Sequence, residues 1–168
     1  VPNFSFSKII NDNYSVKSNG YFKNYNTNIT EKVLINNLEF NSNSEYFNNG
    51  LVNNKKLLIK NVNSDARNSE KFKNKNSSSL VPTFQTNYTY PLQKKTNEFN
   101  YTLTPKFTLN LSIPHTKDVR EEDTEINYNN IYDIDRLGLS EVNEGGISAT
   151  YGYEYIKSDI SNFNQKIK

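Results

Sequence analysis

The chain has 168 residues, one domain's worth, with 20 basic and 18 acidic residues for a net charge of +2. That balance, with the lysines scattered, argues against a nucleic-acid partner, and the lack of cysteine removes disulfides, thiolate nucleophiles and Cys-ligated metals. No apolar run approaches the ~18 residues a membrane helix needs, yet 12 Tyr and 10 Phe are too many aromatics for a disordered chain.

The sequence holds no Met, and its opening alternates instead of forming a basic stretch followed by an apolar run. Both features fit an internal segment or a processed piece. Asparagine is very common, as coding bias in an AT-rich genome produces. Sequons such as Asn28-Ile29-Thr30 and Asn87-Tyr88-Thr89 follow from that abundance.

In chain order, strands are predicted near residues 3–10, 14–23, 30–42 and 51–63. Phe4 and Phe6 alternate with Ser5 and Ser7. Leu34, Leu38 and Phe40 share a face that Asn36 interrupts, and Leu57, Leu58 and Ile59 are contiguous and ambiguous. A long loop is expected at 64–79. The next strand, 80–92, puts Leu80, Pro82, Phe84, Thr86, Tyr88, Tyr90 and Leu92 on one face and Val81, Thr83, Gln85, Asn87 and Thr89 on the other. A short link predicts an antiparallel hairpin with the strand at 98–113.

That strand is the most regular stretch in the chain. Phe99, Tyr101, Leu103, Phe107, Leu109 and Leu111 alternate without a break with Asn100, Thr102, Thr104, Lys106, Thr108 and Asn110. At ~3.3 Å per residue it would be nearly 50 Å long, against ~17–20 Å for an ordinary strand. Pro105 lacks a ladder donor and should mark a bulge, an edge or a boundary. A second long loop, 114–145, precedes a last strand at 146–156 whose apolar face is Ile147, Ala149, Tyr151, Tyr153 and Tyr155. A short turn is expected around 129–136. The expected fold is therefore an all-β, antiparallel up-and-down meander of about seven long strands, a segment (residues 1–168) of a large transmembrane β-barrel. Long loops 64–79 and 114–145 lie at its outer end. Only every second residue of such a wall meets lipid, which accounts for the polar mean hydropathy.

Candidate chemistry is sparse. His115, the sole histidine, has no nucleophile or orienting acid marked out beside it and reads as a loop residue. Asp118, Glu121, Glu122, Asp123 and Glu125 lack the glycine and ligand spacing of a calcium loop. Asp133 and Asp135 read as loop carboxylates. No metal site, cofactor or enzyme activity is expected.

The stretch 101–155 resembles the lipopolysaccharide-assembly family LptD (OstA/Imp). That family has a strand reading tyr-x-leu-x-pro-(lys/arg), then ile-pro, an acidic segment, and leu-phe-x-x-asn-arg-phe-ser-gly before the next strand. Tyr101-Thr102-Leu103-Thr104-Pro105-Lys106, Ile113-Pro114, the acidic residues 121–123 and Asn130-Ile131-Tyr132-Asp133-Ile134-Asp135-Arg136-Leu137 follow that order. Gly145-Gly146-Ile147-Ser148 then opens a strand. Ile131-Tyr132 stands for leu-phe, Asp135 for asn, and Gly138-Leu139-Ser140-Glu141 blurs the rest. The opening Val1-Pro2-Asn3-Phe4 is similar to the family's leu-pro strand start. The family's cysteines and periplasmic domain are absent from this stretch, as in a middle section of a larger barrel.

The resemblance implies a non-enzymatic role in inserting lipopolysaccharide into the outer leaflet of a Gram-negative outer membrane. Its implied partners are lipopolysaccharide, outer-membrane lipids, a plug lipoprotein of the LptE type and a periplasmic bridge of the LptA type. On alternation, Asn100, Thr102, Thr104, Lys106, Thr108 and Asn110 are expected to face the lumen. Phe99, Tyr101, Leu103, Phe107, Leu109 and Leu111 are expected to face lipid. Asp133, Asp135 and Arg136 form an outer-loop motif, with Asp133 and Arg136 as an expected pair. The alternatives are another outer-membrane barrel, such as a porin or receptor, or a soluble β-rich binding or adhesion domain.

Overall fold

The computed structural model describes residues 1–25, 28–114, 124–159 and 164–167. They form one antiparallel sheet without a helix. The long strands are β1 (Asn3–Ile9), β2 (Tyr14–Asn24), β3 (Thr30–Asn41), β5 (Val52–Arg67), β6 (Ser77–Thr89), β8 (Phe99–Ser112) and β9 (Gly146–Asp159). Three short ones join them: β4 (Glu45–Tyr46), β7 (Leu92–Lys95) and β10 (Asn164–Ile167). The order is β1-β2-β3-β5-β6-β8-β9-β10, with β4 on β5 and β7 on β8. Neighbours in sequence are neighbours in space, so the sheet is a meander. It is not closed: β1 pairs with β2 alone and β10 with β9 alone.

All seven expected strands are present. Three run further than alternation suggested, β9 by continuing to Asp159 and the other two at their shared end. β5 continues to Arg67 and β6 begins at Ser77, because Ser64 and Asn63 pair with Ser77 and Ser78 despite their polar side chains. The loop expected at 64–79 therefore shrinks to 68–76, about the length of the connection 42–51 at the opposite end. The contrast in loop length between the two ends rests on 113–145 alone.

Pro105, expected at a bulge, an edge or a membrane boundary, forms neither bulge nor edge, but it lies opposite the break between β6 and β7. β6 and β7 hold the same register against β8, with Thr89 opposite Lys106 and Leu92 opposite Leu103. Between them, the Tyr90 N–H donates to the Pro105 carbonyl at 3.1 Å. A hydrogen-bonded antiparallel pair exchanges two such bonds, and proline cannot return the second. Pro91 removes the next donor. On the β9 side Pro105 sits opposite Tyr153 in an unbroken ladder.

The two faces differ sharply. Tyr14, Phe40, Leu57, Phe84, Leu111 and Ile147 stand side by side in one row across six strands. With Leu34, Leu80, Leu103, Phe107, Tyr151 and Tyr153 they give an open, apolar face, reaching 78% exposure at Ile147 and 76% at Tyr151. The connections 68–76 and 124–145 fold back over the other face. Under the first, Phe72 and Tyr21 pack on Val33, Ile35 and Val62, a small apolar core. Under the second, polar contacts predominate, with Val142 buried among them.

Candidate functional site

The polar interface between β5, β6, β8, β9 and the long connection is the most built feature of the molecule. Lys60, Gln85, Asn143 and Thr83 are among the largest fully buried side chains of the described residues, and all four belong to this interface. Buried amides and ammonium groups are costly unless every donor finds an acceptor, and here each finds one.

Lys60 anchors it. Strand alternation puts Lys60 on the same face as Leu58 and Val62, pointing under the connection, and leaves it 1% exposed. Its ammonium donates to Asp135 Oδ2 at 2.9 Å, to the Leu139 carbonyl at 2.7 Å and to the Val142 carbonyl at 3.2 Å. Three donors meet three acceptors, which is the full valence of the group. All three acceptors belong to the connection, so one side chain of the sheet fixes an eight-residue arc of it, from Asp135 to Val142.

Around this point the sheet and the connection exchange further bonds. Gln85 Nε2 donates to Asn110 Oδ1 at 2.8 Å and to the Tyr132 carbonyl at 3.1 Å. Asn143 Nδ2 donates to Thr83 Oγ1 at 3.0 Å. Arg136 is clasped by Glu144 through Nε and Nη2 and also donates to Thr150 Oγ1 at 3.2 Å. Lys106 meets Glu154 at 2.7 Å and lies 5.9 Å from the Tyr132 ring centre. Lys71, from the 68–76 connection, bridges to Glu141 at 3.1 Å, so the two connections are tied to each other as well as to the sheet.

Gly152 makes the room for Tyr132. A Cβ at Gly152 would collide with the Tyr132 hydroxyl. Gly152→Val is therefore expected to destabilise the docked connection by about 1–3 kcal/mol. Adding Tyr132→Ala should recover much of that loss, as read from the melting midpoints of the two variants. Equal midpoints for Gly152→Val with and without Tyr132→Ala would show that the clash is absorbed elsewhere.

The sequence-predicted residues fall as follows. Asn100, Thr102, Thr104, Lys106, Thr108 and Asn110 share the face over which the connection folds; Thr108 and Asn110 are buried by it and the other four are half-buried. Phe99, Tyr101, Leu103, Phe107, Leu109 and Leu111 share the open face. Of the outer-loop motif, Asp135 and Arg136 enter the interface. The expected Asp133–Arg136 pair does not form: Glu144 takes the guanidinium, and Asp133 contributes its carbonyl, which accepts from Asn110 Nδ2 at 3.5 Å. The turn expected near 129–136 is present, closed by Ile131 N–H to Asn127 O at 3.0 Å and Asp133 N–H to Asn130 O at 2.9 Å.

His115, Asp118, Glu121, Glu122 and Asp123 lie outside the described residues. Among the described residues no three His, Cys, Asp or Glu side chains converge as a metal site. No protein-family model matches the chain, and no curated protein is significantly similar to it.

Proposed function

We propose that the chain is part of the wall of an outer-membrane β-barrel of the lipopolysaccharide-assembly type. The observation that carries the membrane reading is the polarity of the two faces: among the described residues eleven buried side chains are polar or charged against seven hydrophobic, while large apolar ones such as Leu80, Ile147 and Tyr151 stand in the open. Water-soluble domains bury their apolar groups, and a contiguous open apolar face marks contact with another apolar phase. A barrel wall reverses the pattern, with lipid outside and a wet, polar lumen inside. Three further features support it. β8 and β9 are each 14 residues long, more than the ~9–11 that cross a hydrocarbon layer. Tyr101, Tyr153 and Tyr155 gather toward the short-turn end of these strands and Leu109, Leu111 and Ile147 toward the other, the order of an aromatic girdle below an aliphatic belt. The two open edges call for further strands to close the sheet.

The lipopolysaccharide assignment rests on the ordered motifs from Tyr101 to Ile147. On this reading the covered face looks into the lumen, toward the sugar portion of lipopolysaccharide and a plug lipoprotein of the LptE type. The strand ends at the short turns lie nearest a periplasmic bridge of the LptA type. No covalent chemistry is required. A porin or receptor wall would show the same inversion, so the discriminating test is contact with the cargo. A photo-crosslinking residue placed at Thr102 or Thr104, in the natural protein carrying this chain in its own envelope, is expected to capture lipopolysaccharide. The same residue at Leu103 should capture bulk phospholipid and lipopolysaccharide without preference. Absence of lipopolysaccharide adducts from the covered face, with adducts formed from Leu103, would leave a barrel of another type.

A further inference from the structure

On the open face, at the end of the sheet carrying the 68–76 connection, two grooves adjoin. The first, of about 860 Å³, has apolar walls: Pro2, Phe4, Phe22 and Leu34. Gly20 forms its floor, where a Cβ would stand 2.6 Å from the Phe4 ring and 2.7 Å from the Val33 carbonyl, so only glycine lets the Phe4 ring lie flat on β2. The second, of about 830 Å³, is polar and contains Lys32, Arg67 and Lys75. Lys32 and Asp65 line both.

The charge of the second groove is unbalanced. Asp65 is its one carboxylate and is already 3.4 Å from Lys32. Arg67 and Lys75 meet no carboxylate among the described residues. Along β3 the open-face residues read Phe40, Leu38, Asn36, Leu34 and then Lys32, so the first charge on this face of the strand appears where the apolar belt ends. An apolar groove that opens directly onto a basic one fits an amphipathic molecule whose chains and anionic head have the same spacing.

We infer that these joined grooves hold one phosphorylated lipid, its acyl chains on Phe4, Phe22 and Leu34 and its phosphate among Lys32, Arg67 and Lys75. The inference rests on the open face meeting the membrane. Basic side chains at a membrane surface attract anionic heads, and a planar guanidinium grips a phosphate in two-point fashion. A wall strand that held such a lipid would fix the local outer leaflet beside the loops.

The test uses the natural protein carrying this chain in zwitterionic micelles, with dimyristoylphosphatidic acid and dimyristoylphosphatidylcholine as probes and native mass spectrometry to count retained lipid. The unaltered protein is expected to hold one phosphatidic acid about tenfold more tightly than phosphatidylcholine. Lys32→Gln, Arg67→Gln and Lys75→Gln together should abolish that preference. All three side chains are on the surface, so the fold should survive, and a circular dichroism spectrum checks it. Leu34→Asn should weaken retention of both lipids. Equal retention of the two lipids by the unaltered protein, or displacement of phosphatidic acid by inorganic phosphate at matched concentration, would overturn the site. If instead β-structure forms without any detergent, the membrane reading itself fails, and the two failures are told apart by that spectrum.

Discussion

Replacing Lys60 with methionine is expected to free the 124–145 connection from the sheet. Methionine keeps the length and apolar bulk of the stem but leaves the Asp135 carboxylate and the Leu139 and Val142 carbonyls without their donor. Breaking one side of a buried ion pair costs about 3–5 kcal/mol, and the lower end applies because Asp135 remains 23% exposed. Asp135→Asn should cost less, about 1–3 kcal/mol, since its carbonyl oxygen can still accept from Lys60. Limited proteolysis reads the result directly: Lys60→Met should be cut within 124–145 well before the unaltered protein, and Asp135→Asn should fall between them. If Lys60→Met resists cleavage as well as the unaltered protein, Gln85, Asn143 and Arg136 hold the connection without it. Release would also bare Thr83, Gln85, Thr108 and Asn110. On the proposed barrel reading, this would widen the polar passage beside these strands.

The strands were legible in the sequence because alternation is a local signal. Each side chain on β8 reports its own face, and no distant residue can change the parity. The ends of β5 and β6 were less legible: Asn61, Asn63, Ser78 and Ser79 carry no apolar alternation. Their pairing is maintained by polar bonds such as Ser78 Oγ to Asn63 Oδ1 at 2.7 Å and Asn61 Nδ2 to the Ser79 carbonyl at 3.2 Å. Five residues of the interface were marked in advance: Lys106, Thr108 and Asn110 by alternation, and Asp135 and Arg136 by the resemblance alone. The partners of the last two were not. Lys60 is 75 residues from Asp135 in sequence, and only the sheet register brings it under the connection. One clue was nonetheless present: Lys60 shares the parity of Leu58 and Val62, which puts a cation where the pattern asks for an apolar residue. Glu144 displaced Asp133 as the partner of Arg136 through a two-point grip that spacing alone does not reveal.

The second large effect is expected at Phe107. It stands on the open face of β8, opposite Tyr88 on one side and Tyr151 on the other, midway along the apolar belt. If that face meets lipid, Phe107→Arg places a guanidinium near mid-depth and costs about 2–4 kcal/mol of insertion free energy. Thr108→Lys, one residue on and facing the covered side, tests burial instead of lipid, because Thr108 Oγ1 donates to Asn87 Oδ1 at 2.7 Å and is lost with it. Thr102→Lys is the better control, being half-buried on the same covered face near the short turns, and should insert almost normally. Urea titration of refolding into vesicles separates the three: the midpoint for Phe107→Arg should drop far below that for Thr102→Lys. A soluble sheet predicts the reverse order, since an added charge on an open apolar patch removes an aggregation surface and leaves the fold intact. The sign of the Phe107→Arg effect thus distinguishes a membrane wall from a soluble domain without reference to any ligand.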